Sequence, residues 1–473
     1  MIRLGADMRT SPLSVQIEIT DVCNHQCAHC YHLDVAAAEM RKIAKRRELN
    51  LKSLLVIGER LVEANVFNVV LTGGEPLTRK RDVVELALFF ATNEVNCSLN
   101  TNLTLLTPEV LTALKNARLS GILTSCPSTR EDVYKAMTGG RLSSFLEKLR
   151  LVLDSQLPIT VNMVVNQLNA HLVRETGLAL SEMGVSSFAA SPMTPNLSLP
   201  VSERSLGIEG VRGVLEDLKW LHGATGMKVD TLESLPKCLF DTDTLDGDWN
   251  FTSRSCQAGR ATMAIGCQGE VRACTHCTVS YGSVLLEPLK RIYERMEPWR
   301  ADEFVPDACR ECGLVETCRG GCRTNAAAYF GSLNAPDPWM VAPTEAGKRS
   351  KYASLEIEGM TVFSASPVFR HRSEGEDAVT FFGGNFHSAV TTNKQMFDFC
   401  CDLRSNLPMT FSQIVSRYKF HGKEERLRLV LASLVKSRAI VLDATPVGET
   451  SKATGEAAVT VQDLPAETII QRR

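Results

Sequence analysis

Ile19-Thr-Asp-Val-Cys-Asn-His-Gln-Cys-Ala-His-Cys-Tyr31 sets three thiols, Cys23, Cys27 and Cys30, on one short loop directly after an apolar, strand-like run. Thiolate sulfur is a ligand for zinc and for iron-sulfur clusters. A closed structural zinc site usually completes a set of four with paired C-x2-C arms, whereas this loop offers three thiols in a C-x3-C-x2-C spacing. Three protein thiolates leave one metal position open for a ligand that takes part in chemistry. The stretch therefore reads as a strand that ends at a reactive metal centre.

A second segment, Val69-Val-Leu-Thr-Gly-Gly-Glu-Pro76, follows one strand-helix-strand unit later. It is an apolar strand ending in two glycines, which let a backbone come close to a ligand without a Cβ in the way. Standing alone it would be an ordinary strand-to-turn with a proline stop. Together the two segments resemble the radical S-adenosylmethionine (SAM) enzymes. In that family the three cysteines hold a [4Fe-4S] cluster whose unligated iron binds the methionine end of SAM. The resemblance implies that Gly73, Gly74 and Glu75 contact the methionyl amino group of SAM, with Pro76 in the same cofactor-binding segment.

From Ser14 to about Leu221, strand-like runs at 15–20, 66–72, 97–101, 121–125, 159–165 and 187–191 alternate with amphipathic helical runs at 51–64, 81–92, 108–117, 142–153 and 172–183. Thr107 before Pro108 supplies a cap and a first-turn proline. Such alternation predicts a parallel sheet with helices outside. Six units fit the partial (β/α)6 barrel that the resemblance implies, with ligands at the C-terminal strand ends. At those ends Leu99-Asn-Thr-Asn102 and Leu123-Thr-Ser-Cys-Pro127 are imperfect matches to family segments. By position in the family, Asn102, Ser125 and Asn166 are candidate SAM contacts; as isolated polar residues they are turn formers. Pro127 stands where the family often has an acidic residue, which puts in doubt any base the family places there. Cys126 is expected to face the SAM pocket, where its thiol would be the hydrogen donor if the enzyme epimerises a residue; a small core residue is the other reading.

The 473-residue chain is too long for one core, so two or three domains are expected. Its formal charge of -2 gives no electrostatic reason for nucleic acid or membrane as main partner. No 18-residue apolar run occurs and Met1-Ile-Arg-Leu-Gly-Ala-Asp lacks the apolar centre of a signal peptide, so a cytoplasmic protein is expected. Sixteen cysteines in C-x2-C and C-x3-C arrays then read as metal ligands in a reducing compartment rather than as disulfides.

The densest array runs from Cys256 through Gly269 to Cys274, then Cys309-x2-Cys312-x5-Cys318-x3-Cys322. It resembles the SPASM extension of radical SAM enzymes, which holds two auxiliary iron-sulfur clusters; zinc is the alternative for the C-x2-C elements. The resemblance assigns Cys256, Cys274 and Cys322 to the first auxiliary cluster and Cys309, Cys312 and Cys318 to the second. Family members commonly close the set with a distal Cys in a segment like Ala335-Pro-Asp-Pro-Trp-Met340, where this chain has Met340. Cys267, Cys277 and Asp337 are candidates to fill the gap, or one cluster is left open to substrate.

After the proline-rich stretch to Pro343, a strand at 378–382, helices at 392–403, 410–418 and 424–435, and a closing strand at 439–442 form a winged-helix pattern. It resembles the small domain that recognises leader segments of ribosomally made peptides by adding the leader as a strand to a sheet edge. DNA binding through Lys419, Lys423, Arg426 and Arg428 is the rival reading. The expected organisation is a radical SAM core at 1–235, a SPASM domain at 236–343, a linker at 344–372, a peptide-recognition domain at 373–445 and a disordered tail at 446–473.

These features predict a radical SAM/SPASM maturase. By resemblance, one electron enters SAM at the cluster of Cys23, Cys27 and Cys30, and a 5'-deoxyadenosyl radical takes hydrogen from a precursor peptide. A C-C or C-S crosslink follows, and an auxiliary cluster accepts the surplus electron. A one-electron donor such as flavodoxin or ferredoxin is implied as a further partner. Peptide epimerisation, oxidative decarboxylation of a peptide, protein Cys or Ser oxidation and haem or cofactor biosynthesis are the alternative activities. A leader-recognition or electron-carrier protein without turnover would have no use for an intact SAM site.

Overall fold

The computed structural model describes residues 9–31, 48–194, 205–247, 249–342, 357–383 and 389–442. Its first half is built from short apolar strands whose side chains are buried on both faces, as a parallel sheet covered by helices requires. Strands β1 (Ser14–Glu18), β2 (Asn68–Thr72), β3 (Asn96–Asn100), β4 (Ile122–Ser125), β5 (Ile159–Val165), β6 (Ser187–Pro192) and β7 (Lys228–Asp230) lie side by side in chain order, all parallel. Between them run α1 (Leu51–Glu63), α2 (Lys80–Thr92), α3 (Pro108–Asn116), α4 (Glu131–Thr138), α5 (Leu142–Asp154), α6 (Val173–Glu182) and α7 (Ile208–Thr225). The Thr107 side chain accepts from Val110 N to cap α3, with Pro108 in the first turn.

All six expected strands are present, and the sheet continues past them at both edges. β7 is a three-residue strand with no periodic signal of its own. On the other side β8 (Thr262–Ile265) pairs parallel with β1, and β9 (Glu270–Arg272) and β10 (Ser280–Ser283) add antiparallel strands, giving ten in all. The cysteine-rich segment is thereby sewn to the first strand. One hydrophobic core runs from Val15 through Val271 and Tyr293 to Trp339.

The C-terminal part has its own core around Phe363, Phe381, Leu403, Ile414 and Leu431. Its elements are β11 (Val362–Ala365), β12 (Arg370–Ser373), β13 (Ala378–Phe382), β14 (Val390–Asn393), α8 (Lys394–Ser405), β15 (Met409–Thr410), α9 (Phe411–Arg417), α10 (Glu424–Lys436) and β16 (Ile440–Leu442). They form two antiparallel three-stranded sheets, β15-β11-β16 and β12-β13-β14. The stretch expected as a linker at 344–372 is corrected in its second half: β11 and most of β12 lie inside it, with Phe363 fully buried. Residues 343–356 and the expected disordered tail at 446–473 fall outside the described residues.

This unit is clamped to the N-terminal ends of β1 and β2. Arg372 donates to Glu374 Oε1 at 2.7 Å, to Pro12 O at 2.8 Å, to Asn65 O at 3.0 Å and to Ser11 O. Glu374 Oε2 also accepts from Thr10 N at 2.7 Å and from Thr10 Oγ1 at 2.9 Å. Phe67 and Phe382 meet edge to face at 5.0 Å within an apolar cluster that includes Leu13 and Ala261. Among the described residues no helix is long and apolar enough to cross a membrane.

Candidate active site

The opposite, C-terminal ends of β1 and β2 carry the three-thiol loop and the glycine turn, and backbone bonds join them. Gly74 N donates to Thr20 O at 2.6 Å and Glu75 N to Val22 O at 2.8 Å. A Cβ on Gly73, whose φ is +135°, would lie 2.3 Å from Thr20 O, and one on Gly74 2.5 Å from Val22 O. Glycine is needed here so that the thiol loop can close on the turn, a role for Gly73 and Gly74 distinct from the ligand approach expected from sequence. The far side of the loop rests on the end of α4, where Gln26 N donates to Thr138 O and Ala28 N to Met137 O, both at 2.9 Å. Arg79 donates to Ile19 O at 2.7 Å and Leu49 O at 2.8 Å, and Glu48 accepts from Thr20 Oγ1 at 2.5 Å. Neither Arg79 nor Glu48 lies in a motif.

Cys23, Cys27 and Cys30 are half-buried on this loop. Burial, followed by the neighbouring thiols of Cys30 and Cys23, pushes the Cys27 thiol up to about 12. A cation bound among these sulfurs reverses that trend, because the ligand is the thiolate and binding releases its proton.

Glu75 is buried and accepts three hydrogen bonds from the protein. Its Oε1 accepts from Leu77 N at 2.9 Å and Thr101 Oγ1 at 2.7 Å, and its Oε2 from Asn102 N at 2.7 Å. Burial raises its pKa, and these three bonds oppose the rise. Glu75 thus ties the glycine turn to the end of β3. Pro76 opens the short helical turn that follows. Asn102 Nδ2 donates to Asn24 Oδ1 at 2.9 Å, and Asn24 Nδ2 donates to Thr104 Oγ1 at 2.9 Å, so the end of β3 also grips the thiol loop. Asn24 and Thr101 lie inside the quoted segments and Thr104 just past one, but no sequence signal singled out any of the three.

Ser125 ends β4 opposite Asn162 of β5. Asn166, just past β5, is fully buried and its Nδ2 has no hydrogen-bond partner among the described residues, although its Oδ1 accepts from Leu168 N at 2.9 Å. A buried amide donor without an acceptor calls for one, and the carboxylate or ribose oxygens of SAM are of that kind. Cys126 is fully buried within the barrel core and donates to Ser128 O at 3.4 Å. Burial pushes its thiol up to about 12. This burial fits the reading of Cys126 as a small core residue.

The remaining thiols fall into two groups. Burial and then Cys277 and Cys256 push Cys274 up to about 12, and burial followed by Cys256 raises Cys322, so Cys256, Cys274, Cys277 and Cys322 are electrostatic neighbours. Asp337, raised by burial to about 6, accepts from Cys322 N at 2.8 Å and from Trp339 N at 2.9 Å, which occupies the carboxylate considered as a spare ligand. Cys267 sits apart: its thiol donates to Asp21 Oδ2 at 2.9 Å, two residues before Cys23. The second group, Cys309, Cys312 and Cys318, shares one small pocket with Cys238 and Met340. Tyr31 packs edge to face on His276 at 4.6 Å, joining the end of the first thiol loop to the segment between Cys274 and Cys277. Among the described residues no three His, Cys, Asp or Glu side chains close on a single-ion site. What fits an iron-sulfur cluster is the donor chemistry: thiols gathered in sets of three and four, the ligands such clusters take.

Comparison with known proteins places this geometry. Residues 17–173 match the radical SAM superfamily. The chain is 22% identical over 357 residues to the AdoMet-dependent heme synthase of Methanosarcina barkeri, covering 71% of this chain and 97% of that one. It is 25% identical over 363 residues to the PqqA peptide cyclase of Bradyrhizobium diazoefficiens, covering 74% and 91%. Streptococcus suis SuiB bound to its precursor peptide SuiA shares the fold with a TM-score of 0.56 at 16% identity, over 69% of this chain and 75% of that one.

Proposed function

We propose that this chain, whose residues 17–173 are a radical SAM domain, is a maturase that modifies a ribosomally made precursor peptide, forming a C-C or C-S crosslink. The observation that carries the reading is the three-thiol loop of Cys23, Cys27 and Cys30 bonded to the glycine turn at the C-terminal ends of β1 and β2. When bound there, the cluster and SAM supply the radical that removes hydrogen from the substrate. The protein's own work is placement. Thr20 O and Val22 O fix the turn, Glu75 and Asn102 lock it to β3, and Asn166 Nδ2 offers SAM a buried donor.

The C-terminal unit favours a peptide substrate. We read α8, α9 and α10 with β15 and β16 as a winged-helix-like leader-recognition domain, and β14 as an edge onto which an extended leader adds a strand. DNA binding is weakened by Arg428, which donates to Ile357 O at 3.1 Å and stacks 4.8 Å over Phe411. Haem-pathway chemistry is the second reading, favoured by the similarity to the heme synthase. Anaerobically reconstituted protein given SAM, a reductant and either a short candidate precursor peptide or a haem precursor separates them. Faster 5'-deoxyadenosine release with the peptide supports the maturase; consumption of the haem precursor alone replaces it.

A further inference from the structure

Cys238 lies on the short turn Lys237–Leu239, far in sequence from the cysteine array at 309–322. The fold brings it into that array. Lys237 N donates to Cys318 Sγ at 3.2 Å, which sets the turn against the thiol of Cys318. Cys238 Sγ in turn accepts from Val341 N at 3.4 Å. Cys238, Cys309, Cys312 and Cys318 line one pocket together with Pro236 and Met340. Met340 is the residue that stands at the distal position, and its Sδ lies 3.5 Å from Cys309 Sγ. The distal segment therefore reaches the pocket but brings a neutral thioether, a poor substitute for the anionic thiolate that iron-sulfur clusters take.

We propose that Cys238 is the fourth protein ligand of the iron-sulfur cluster held by Cys309, Cys312 and Cys318, supplying from the end of the barrel the thiolate that Met340 does not. This rests on the reading of the cysteine-rich segment as an auxiliary-cluster module. It makes the second auxiliary cluster fully protein-ligated, leaving no open iron for substrate there. The backbone donors Lys237 N and Val341 N then point at two ligand sulfurs, an arrangement that tunes cluster potential.

The test uses the full chain carrying Cys23→Ala, Cys27→Ala and Cys30→Ala, so that only auxiliary iron remains. Iron and sulfide content and the electron paramagnetic resonance of the reduced protein are measured with and without Cys238→Ala. The expected result is a fall from about eight irons per chain to about four, or a three-iron signal from one cluster, with the other auxiliary signal unchanged. Adding Met340→Cys to the Cys238→Ala protein is expected to restore the lost iron. Full iron content with unaltered spectra after Cys238→Ala would overturn the assignment. So would loss of both auxiliary signals without rescue by Met340→Cys, because a ligand role confines the defect to one cluster. Absence of iron before Cys238 is touched would overturn the auxiliary-cluster reading itself, an outcome distinct from failure of the ligand assignment.

Discussion

Strands β1 and β2 end in two different environments. At their C-terminal ends the Cys23–Cys30 loop and the Gly73-Gly74 turn are held by backbone bonds and by the neutral amides of Asn24 and Asn102, and the three thiols stay half-buried. At their N-terminal ends the buried Arg372–Glu374 pair is wrapped by the carbonyls of Ser11, Pro12 and Asn65 and flanked by Phe67 and Phe382. The first end gathers three thiols of the kind an iron-sulfur cluster takes as ligands. The second binds its charged groups to the protein itself and fixes one part of the chain to another. The same two strands thus separate chemistry from attachment, and the C-terminal unit is anchored at the end remote from the thiol loop.

Substitutions at each end probe that division. Replacing Cys23, Cys27 and Cys30 together by Ala is expected to abolish 5'-deoxyadenosine formation while iron bound by the cysteine-rich segment stays; iron content unchanged by the triple substitution, or zinc as the only metal found, would break the assignment. Arg372→Ala leaves Glu374 and three carbonyls without their buried partner, and an expected loss of about 3–5 kcal/mol in stability, read by denaturant unfolding, should leave SAM cleavage per folded molecule intact. A parallel loss of SAM cleavage would mean that the two ends are coupled. Gly73→Ala forces a side chain into the +135° φ region and against Thr20 O. Misplacing the turn by about 1 Å is expected to slow SAM cleavage about 100-fold, with auxiliary iron unchanged; a near-normal rate would show that the turn has slack.

The thiol loop, the glycine turn, the six strands and the cysteine array were legible because each is a local pattern whose spacing survives without the fold. Helices α8, α9 and α10 were legible for the same reason, through their amphipathic spacing. What escaped depends on contacts between distant segments. The pairing of β8 with β1, the Arg372 clamp onto Ser11 and Asn65, and the approach of Cys238 to Cys309 and Cys318 leave no trace in local periodicity. Helix α4 was missed because eight residues give too few turns for a pattern, yet its last carbonyls support the thiol loop. The surroundings of Cys126 were not legible either, because a strand-end position does not say which way a side chain faces; the fold buries it among core residues.

The most direct test of the maturase account is tandem mass spectrometry of the precursor peptide after anaerobic turnover with the reconstituted full chain, SAM and a reductant. The account predicts a product lighter by the mass of a pair of hydrogen atoms, with no fragmentation between the two joined residues, and no such product from the protein lacking Cys23, Cys27 and Cys30. A peptide of unchanged mass, from a preparation that still cleaves SAM, would contradict it.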